Sequence, residues 1–179
     1  MRVIAGRLKG RRLATPSWEG LRPTSDKLRE TLFNVLAPRI EGARVFDGFA
    51  GTGAIGIEAL SRGAADVTFV ERNRRAVALI EANLKTCGVE AGYTIQCAEV
   101  VAALRAAPPG ACDLILLDPP YDIDNVTSVL DAAARCVADG GLIVLERATR
   151  NDPGEPAALR RVRDIKSGDS TLTFFERRA

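Results

Sequence analysis

From residue 44 onward the chain alternates short apolar runs with longer segments of helical period. The apolar runs are Arg44–Asp47, Val67–Glu71, Tyr93–Cys97, Asp113–Asp118 and Leu142–Glu146, and the helical segments between them are Ala54–Ser61, Arg74–Thr86, Val100–Ala106 and Val126–Ala138. Runs such as Leu114-Ile115-Leu116-Leu117 have no polar face, so they predict strands covered on both sides within a parallel sheet. Alternating strands and helices predict a doubly wound α/β sheet with ligands at the carboxyl ends of its strands. After Glu146 the pattern changes. Leu159–Ile165 and Thr171–Glu176 flank Lys166-Ser167-Gly168-Asp169-Ser170, which predicts an antiparallel hairpin.

The first forty residues read differently. Val3-Ile4-Ala5 and a weaker run ending at Leu13, punctuated by Gly6 and Gly10, predict a small β-hairpin with an arginine-rich surface. Thr15 to Arg22 reads as loop. Thr24 or Ser25 then caps a helix running to about Ala37, with Leu28, Leu32, Val35 and Leu36 as its apolar stripe and Pro38 and Gly42 as its stop.

Composition narrows the chemistry. A chain of 179 residues with 46% hydrophobic content supports one well-buried domain and a small appendage. No run approaches the roughly 18 apolar residues of a membrane span, and Met1–Gly6 has no signal-peptide character, so a cytoplasmic protein with no membrane partner is expected. There is no histidine, which removes imidazole bases, Ser-His triads and histidine metal ligands together. Cys87, Cys97, Cys112 and Cys136 show no C-x-x-C spacing, so reduced, mostly buried thiols and no metal site are expected. Residues 1–40 carry nine Lys/Arg and three acids, a balance of +6, while the remainder balances at −4. A basic segment on an acidic body predicts a polyanion partner held by Arg2, Arg7, Lys9, Arg11, Arg12 and Arg22.

Two motifs carry the candidate chemistry. In Val45-Phe46-Asp47-Gly48-Phe49-Ala50-Gly51-Thr52-Gly53-Ala54-Ile55-Gly56, a strand turns into a helix through a G-x-G-x-x-G spacing, which suits close backbone approach to a ligand. Glu71, 20 residues beyond Gly51, is placed to hold ribose hydroxyls. Both features fit a nicotinamide cofactor or S-adenosylmethionine. Asp47 favours the second, because its carboxylate repels a pyrophosphate and suits an ammonium and a sulfonium. The second motif, Asp118-Pro119-Pro120-Tyr121, ends the fourth strand on the same rim. Asp118 can accept an N–H from a nucleobase amine, the Pro119 carbonyl is a second acceptor, and Tyr121 can stack on the base. In-line methyl transfer needs positioning and no covalent intermediate.

A parallel sheet ending in an antiparallel hairpin is similar to the seven-stranded Rossmann-like fold of S-adenosylmethionine-dependent methyltransferases. Asp118-Pro119-Pro120-Tyr121 resembles the signature of enzymes that methylate exocyclic amines of bases. Arg2-Val3-Ile4-Ala5-Gly6 with Lys9-Gly10-Arg11, Leu21-Arg22-Pro23-Thr24, Arg29-Glu30-Thr31-Leu32-Phe33-Asn34, Asp47–Gly53 and Glu58–Ala64 together resemble the RsmD family of bacterial 16S ribosomal RNA guanine-N2 methyltransferases. The resemblance spans nearly the whole chain. It implies a methyltransferase domain over 24–179 with an RNA-binding arm over 1–23. It also implies 16S ribosomal RNA in an assembling small subunit as substrate, and a monomer. On this reading Thr24, Asp47, Phe49, Gly51, Gly53, Glu71, Arg72 and Glu99 hold the cofactor. Gly48 stands where a leucine is common in the family, and Glu99 stands in for the acid expected after the third strand. A DNA adenine-N6 or cytosine-N4 methyltransferase, a non-catalytic RNA-binding assembly factor and a nicotinamide oxidoreductase are the competing readings.

Overall fold

The computed structural model describes residues 1–16, 25–120, 123 and 125–178. Seven strands form one sheet in the order β3-β2-β1-β4-β5-β7-β6. They are β1 (Arg44–Gly48), β2 (Asp66–Glu71), β3 (Tyr93–Cys97), β4 (Cys112–Leu117), β5 (Val137–Ala148), β6 (Leu159–Ser167) and β7 (Ser170–Arg177). The first five strands pair in parallel, and β7 enters antiparallel between β5 and β6. The strand order reverses between β1 and β4, and the crevice at such a reversal is where open α/β sheets take their ligands.

Side chains along each central strand alternate between two apolar layers. Val45, Phe69, Leu114, Leu116 and Val144 face one layer, which is closed by α1 (Asp26–Ile40), α2 (Ala54–Ser61) and α3 (Arg74–Cys87). Phe46, Val70, Ile115, Leu117 and Leu145 face the other, under α4 (Val100–Ala106) and α5 (Val126–Cys136). Burial on both faces is why these strands carry no polar alternation.

Several boundaries differ from the sequence expectation, each for a local reason. Ser25, of the two candidate caps, accepts from the Leu28 amide at 3.2 Å. The first helix continues past Ala37 to Ile40 with Pro38 inside it. Pro38 has no N–H to give the Asn34 carbonyl, but both residues are exposed, so water can serve that carbonyl while Ile40 is buried. Helix α5 stops at Cys136, two residues short of Ala138, because Val137 already pairs with Cys112 in the sheet. The β6–β7 connection is the pair Gly168-Asp169 and not a five-residue loop: Ser167 pairs directly with Ser170, and Gly168 takes φ 60°.

The N-terminal hairpin holds a single antiparallel bridge between Arg2 and Arg12, with the Val3 amide on the Arg11 carbonyl and the Gly10 amide on the Val3 carbonyl, both at 2.9 Å, while the amides of Ile4, Ala5, Arg7 and Leu8 bond to α2. The Glu58 carboxylate on α2 accepts the Ile4 amide at 2.7 Å and the Ala5 amide at 3.0 Å. Ser61 takes the Leu8 amide on its hydroxyl at 3.0 Å and the Arg7 amide on its carbonyl at 2.8 Å. Gly6 has φ 79°, and a Cβ there would lie 1.9 Å from the Ser61 carbonyl oxygen, so only glycine lets the segment lie this close. Val3, Leu8 and Leu13 join the α1–α3 layer, whereas Arg2, Arg7, Lys9, Arg11 and Arg12 are exposed.

Glu58 is fully buried and also pairs with Arg62 at 2.7 Å. Replacing it strands two amides and leaves the Arg62 cation without its partner. Glu58→Ala is therefore expected to cost about 3–5 kcal/mol of unfolding free energy in urea titration. Glu58→Gln should lose less, since its amide oxygen still accepts. A loss below about 1 kcal/mol for Glu58→Ala would show that the segment is anchored by its apolar residues alone.

Candidate functional site

The crevice between β1 and β4 is built from the ends of three strands. Asp47 is the penultimate residue of β1, Glu71 closes β2, and Asp118 follows β4 with its amide on the Gly48 carbonyl at 3.3 Å. The loop after β1 turns through Phe49 at φ 63°, Gly51 at φ 56° and Gly53 at φ 76°. A phenylalanine in the left-handed region is strained, and such strain concentrates at ligand-binding loops. Gly53 caps α2 in that conformation, which sends the helix off at a sharp angle.

Two buried carboxylates hold this loop. Asp47 Oδ2 accepts the Gly56 amide in the first turn of α2 at 2.8 Å. Glu71 accepts the Gly51 amide at 3.0 Å through Oε2 and the Asn73 amide at 2.8 Å through Oε1. Gly56 is the tightest point. A Cβ there would stand 2.2 Å from the Phe69 ring and 2.9 Å from Asp47 Oδ2, so the third glycine serves helix-to-sheet packing. Burial pushes the Asp47 carboxyl well above the usual carboxylate range; the Gly56 amide acts against this, and the nearby Asp118 and Glu71 carboxylates add to it. Three acids in electrostatic contact in one crevice disfavour an anion and favour a cation.

Against Phe49 of the glycine loop lies a cleft of about 460 Å³. Phe49 of the glycine loop, Glu99 and Val100 at the start of α4, Ile123, and Asn125 at the cap of α5 are among its walls. Glu99 is exposed and meets Arg72 at 3.4 Å across the rim. Its carboxylate accepts no capping bond from α4 and is turned to solvent and the cleft. Pro119 is buried and Pro120 exposed at the same rim.

Similarity to known proteins points to one family. The family described as Conserved hypothetical protein 95 matches residues 1–176. A relative from Escherichia coli strain K12, ribosomal RNA small subunit methyltransferase D, is 35% identical over 183 aligned residues, spanning 100% of this chain and 91% of its own. The chain belongs to the RsmD methyltransferase family. Among solved structures, yhhF from Escherichia coli superposes with TM-score 0.87 at 34% identity, covering 100% of this chain and 98% of its own. The Thermus hypothetical protein TTHA0928 gives TM-score 0.79 at 27% identity, with 97% of this chain and 98% of its own covered. The seven-stranded sheet is thus the methyltransferase sheet expected from the sequence.

Within this RsmD-family fold, Asp47, Phe49, Gly51, Gly53, Glu71, Arg72, Glu99, Asp118, Pro119 and Pro120 come together on one rim of the sheet. Thr24, Arg22 and Tyr121 lie outside the described residues. Of the cysteines, Cys87, Cys112 and Cys136 are buried and Cys97 is exposed; burial raises the Cys112 thiol to about 11. The acidic body of the sequence divides further. Residues 41–146 carry 8 bases and 15 acids, whereas residues 147–179 carry 8 bases and 5 acids. The negative charge therefore belongs to the part that forms the crevice. The cleft wall at Ile123, Asn125 and Ser128, and the buried Asn83 on α3, belong to no motif that sequence reasoning singles out. Asn83 does leave a signal: it interrupts the apolar stripe Ala76, Ile80, Leu84 and Cys87.

The Asp47 shift sets a pH dependence with a definite sign. The folded state holds this proton more tightly than the unfolded chain, where an aspartate titrates near 3.9. Its contribution is fully present below about pH 3.9 and is lost as pH rises through the raised folded value. Asp47→Asn keeps an acceptor for the Gly56 amide without the charge. The variant should melt higher than wild type at neutral pH, by about 2–4 °C per kcal/mol gained. The difference should vanish near pH 4 and grow upward from it. Calorimetry across pH 4–8 checks this; a lower melting temperature for Asp47→Asn at neutral pH would contradict it.

Proposed function

We propose that this chain methylates the exocyclic N2 amine of a guanine in 16S ribosomal RNA, within an assembling small subunit, using S-adenosylmethionine. The observation that carries this reading is the placement of Asp118 beside Asp47 at the strand-order reversal, with Glu71 on the neighbouring strand. The names of the relatives supply the class of substrate.

The residues present fit the cofactor. Three acids suit a ligand with two cationic centres and no phosphate. Glu71 spends one lone pair of each oxygen on a backbone amide, which leaves the others for ribose hydroxyls. Phe49 and Glu99 line the cleft beside it, as an aromatic face and an acceptor for an adenine ring and its amine. When bound, S-adenosylmethionine supplies an electrophilic methyl group. Asp118 accepts an N–H of the target amine, turns its lone pair toward the methyl group and keeps the developing positive charge close to a carboxylate. The Pro119 carbonyl is the second acceptor and Tyr121 the stacking face. A nicotinamide cofactor would bring a pyrophosphate into the same acids, which counts against an oxidoreductase.

The arm supplies RNA affinity. Arg2, Arg7, Lys9, Arg11 and Arg12 are exposed on a segment bonded to α2, and they carry the charge that phosphates require. Arg22 belongs to the same basic segment. The protein is expected to act as a cytoplasmic monomer; no described helix is long and apolar enough to cross a membrane.

Two measurements test this reading. Asp118→Ala should lower methyl transfer to unmethylated small subunits by roughly 100- to 1,000-fold, with little change in affinity for S-adenosylhomocysteine. Turnover near wild type would remove Asp118 from the chemistry, and a methyl group recovered on any atom but guanine N2 would change the product. Neutralising the five arm cations should weaken RNA binding and flatten its salt dependence, by roughly 0.7–0.9 of a logarithmic slope unit for each phosphate the variant no longer neutralises. Equal slopes for wild type and variant would move the RNA to another surface.

A further inference from the structure

Helix α3 is amphipathic, and Asn83 sits on its buried face, only 1% exposed. A primary amide there is costly unless each polar atom is matched. All are matched, and by two different segments. Asn83 Oδ1 accepts the Ala14 amide at 2.7 Å, and Nδ2 donates to the Ala14 carbonyl at 3.2 Å and to the Thr52 carbonyl at 2.9 Å. Ala14 belongs to the basic arm. Thr52 is the middle residue of Gly51-Thr52-Gly53, the turn that Glu71 and Asp47 hold against the crevice. One planar side chain therefore fixes the arm and the glycine loop relative to each other.

We propose that Asn83 is a positioning residue that couples the two substrates, so that RNA on the arm and cofactor on the glycine loop each tighten the other's binding. This rests on the reading that the arm holds RNA and the loop holds S-adenosylmethionine. The physical basis is shared ordering: a ligand that fixes either segment fixes the amide, and the second ligand then has less freedom to remove. The Thr52 hydroxyl also meets Met1 Sδ at 4.0 Å, so the first residue of the arm reaches the same turn as Ala14. The other polar contacts of the arm to α2, at Glu58, Leu60 and Ser61, leave the loop itself untouched. Of the described contacts, it is Asn83 that makes hydrogen bonds to both segments. Chemically, an asparagine is needed because the site requires one acceptor and two donors in a plane. An aspartate keeps the acceptor for the Ala14 amide and sets a second oxygen against the Thr52 and Ala14 carbonyls.

The test compares S-adenosylhomocysteine affinity of the full-length protein with and without saturating unmethylated small subunits. In wild type, the small subunit should tighten it about 5-fold or more, the lower end of ordinary coupling between sites. Asn83→Asp and Asn83→Ala should each bring that ratio close to 1 while both ligands still bind singly. A wild-type ratio of 1, or an unchanged ratio in either folded variant, overturns the proposal. Should both variants fail to fold, amide hydrogen exchange of wild type serves instead. Saturating S-adenosylhomocysteine alone should slow exchange at Ala14, and an unchanged rate there overturns the proposal as well. The parent readings fail separately: no binding of S-adenosylhomocysteine removes the cofactor, and full RNA affinity without the five arm cations removes the arm.

Discussion

The structure depends on burying one carboxylate. Asp47 lies near the end of its strand inside the sheet, 1% exposed, and its Oδ2 takes the Gly56 amide from the first turn of α2. This fixes the angle at which the helix leaves the sheet, and it is possible only because Gly56 has no Cβ to strike Phe69. The compensation is partial, as the raised carboxyl shows. A buried acid with one amide partner, beside two further acids, is a site that gains from a cation. Electrostatics that weaken the fold when the crevice is empty are the same electrostatics that recognise a charged methyl donor.

The glycine loop is held from two sides by different chemistry. Glu71 ties Gly51 to the end of β2, and Asn83 ties Thr52 to the arm. The loop is thus not a free turn over a ligand. It is the meeting place of the sheet, α3 and the N-terminal segment. The arm is equally far from being a loose basic tail. Its apolar residues share the α1–α3 layer and its backbone is bonded to Glu58 and Ser61, so its five exposed cations are presented from a fixed base. A rigid presentation lowers the ordering cost of binding a polyanion.

A second basic region, the end of β5, the loop after it and the β6–β7 hairpin, is organised differently. Its arginines are largely committed internally: Arg160 pairs with Glu176 at 2.7 Å, and Arg161 and Arg147 with Asp152 and Asp164. Those pairs hold the Asp152 carboxyl below its usual range. The bulge at Val162 and the charges of β6 guard the open edge of the sheet. Sequence charge alone does not separate the two regions. The arm presents its cations to solvent, whereas the hairpin's are largely neutralised by carboxylates of its own.

What the sequence determined is what local pattern and residue chemistry can encode. Short strand-like runs, continuous and apolar in β4, specified five parallel strands, helical period specified most of the helices between them, and Gly51, Gly53 and Gly56 marked the corner where the chain turns onto a ligand. Asp47, Glu71 and Asp118 could be named because each closes a predicted strand, and strand ends of a parallel sheet lie on one rim. What only the tertiary structure decided depends on partners distant in the chain. Burial of Ile40 carries α1 past a proline that local rules treat as a stop. Pairing of Val137 with Cys112 ends α5. Glu58 and Ser61 take the amides of Ile4, Ala5, Arg7 and Leu8, so the hairpin pairs only near its base and its tip lies on α2, because backbone amides bond to the acceptors that packing supplies. Asn83 shows the division within one residue: its place on an apolar stripe is visible in sequence, but Ala14 and Thr52, 69 and 31 residues away, are brought to it only by the fold.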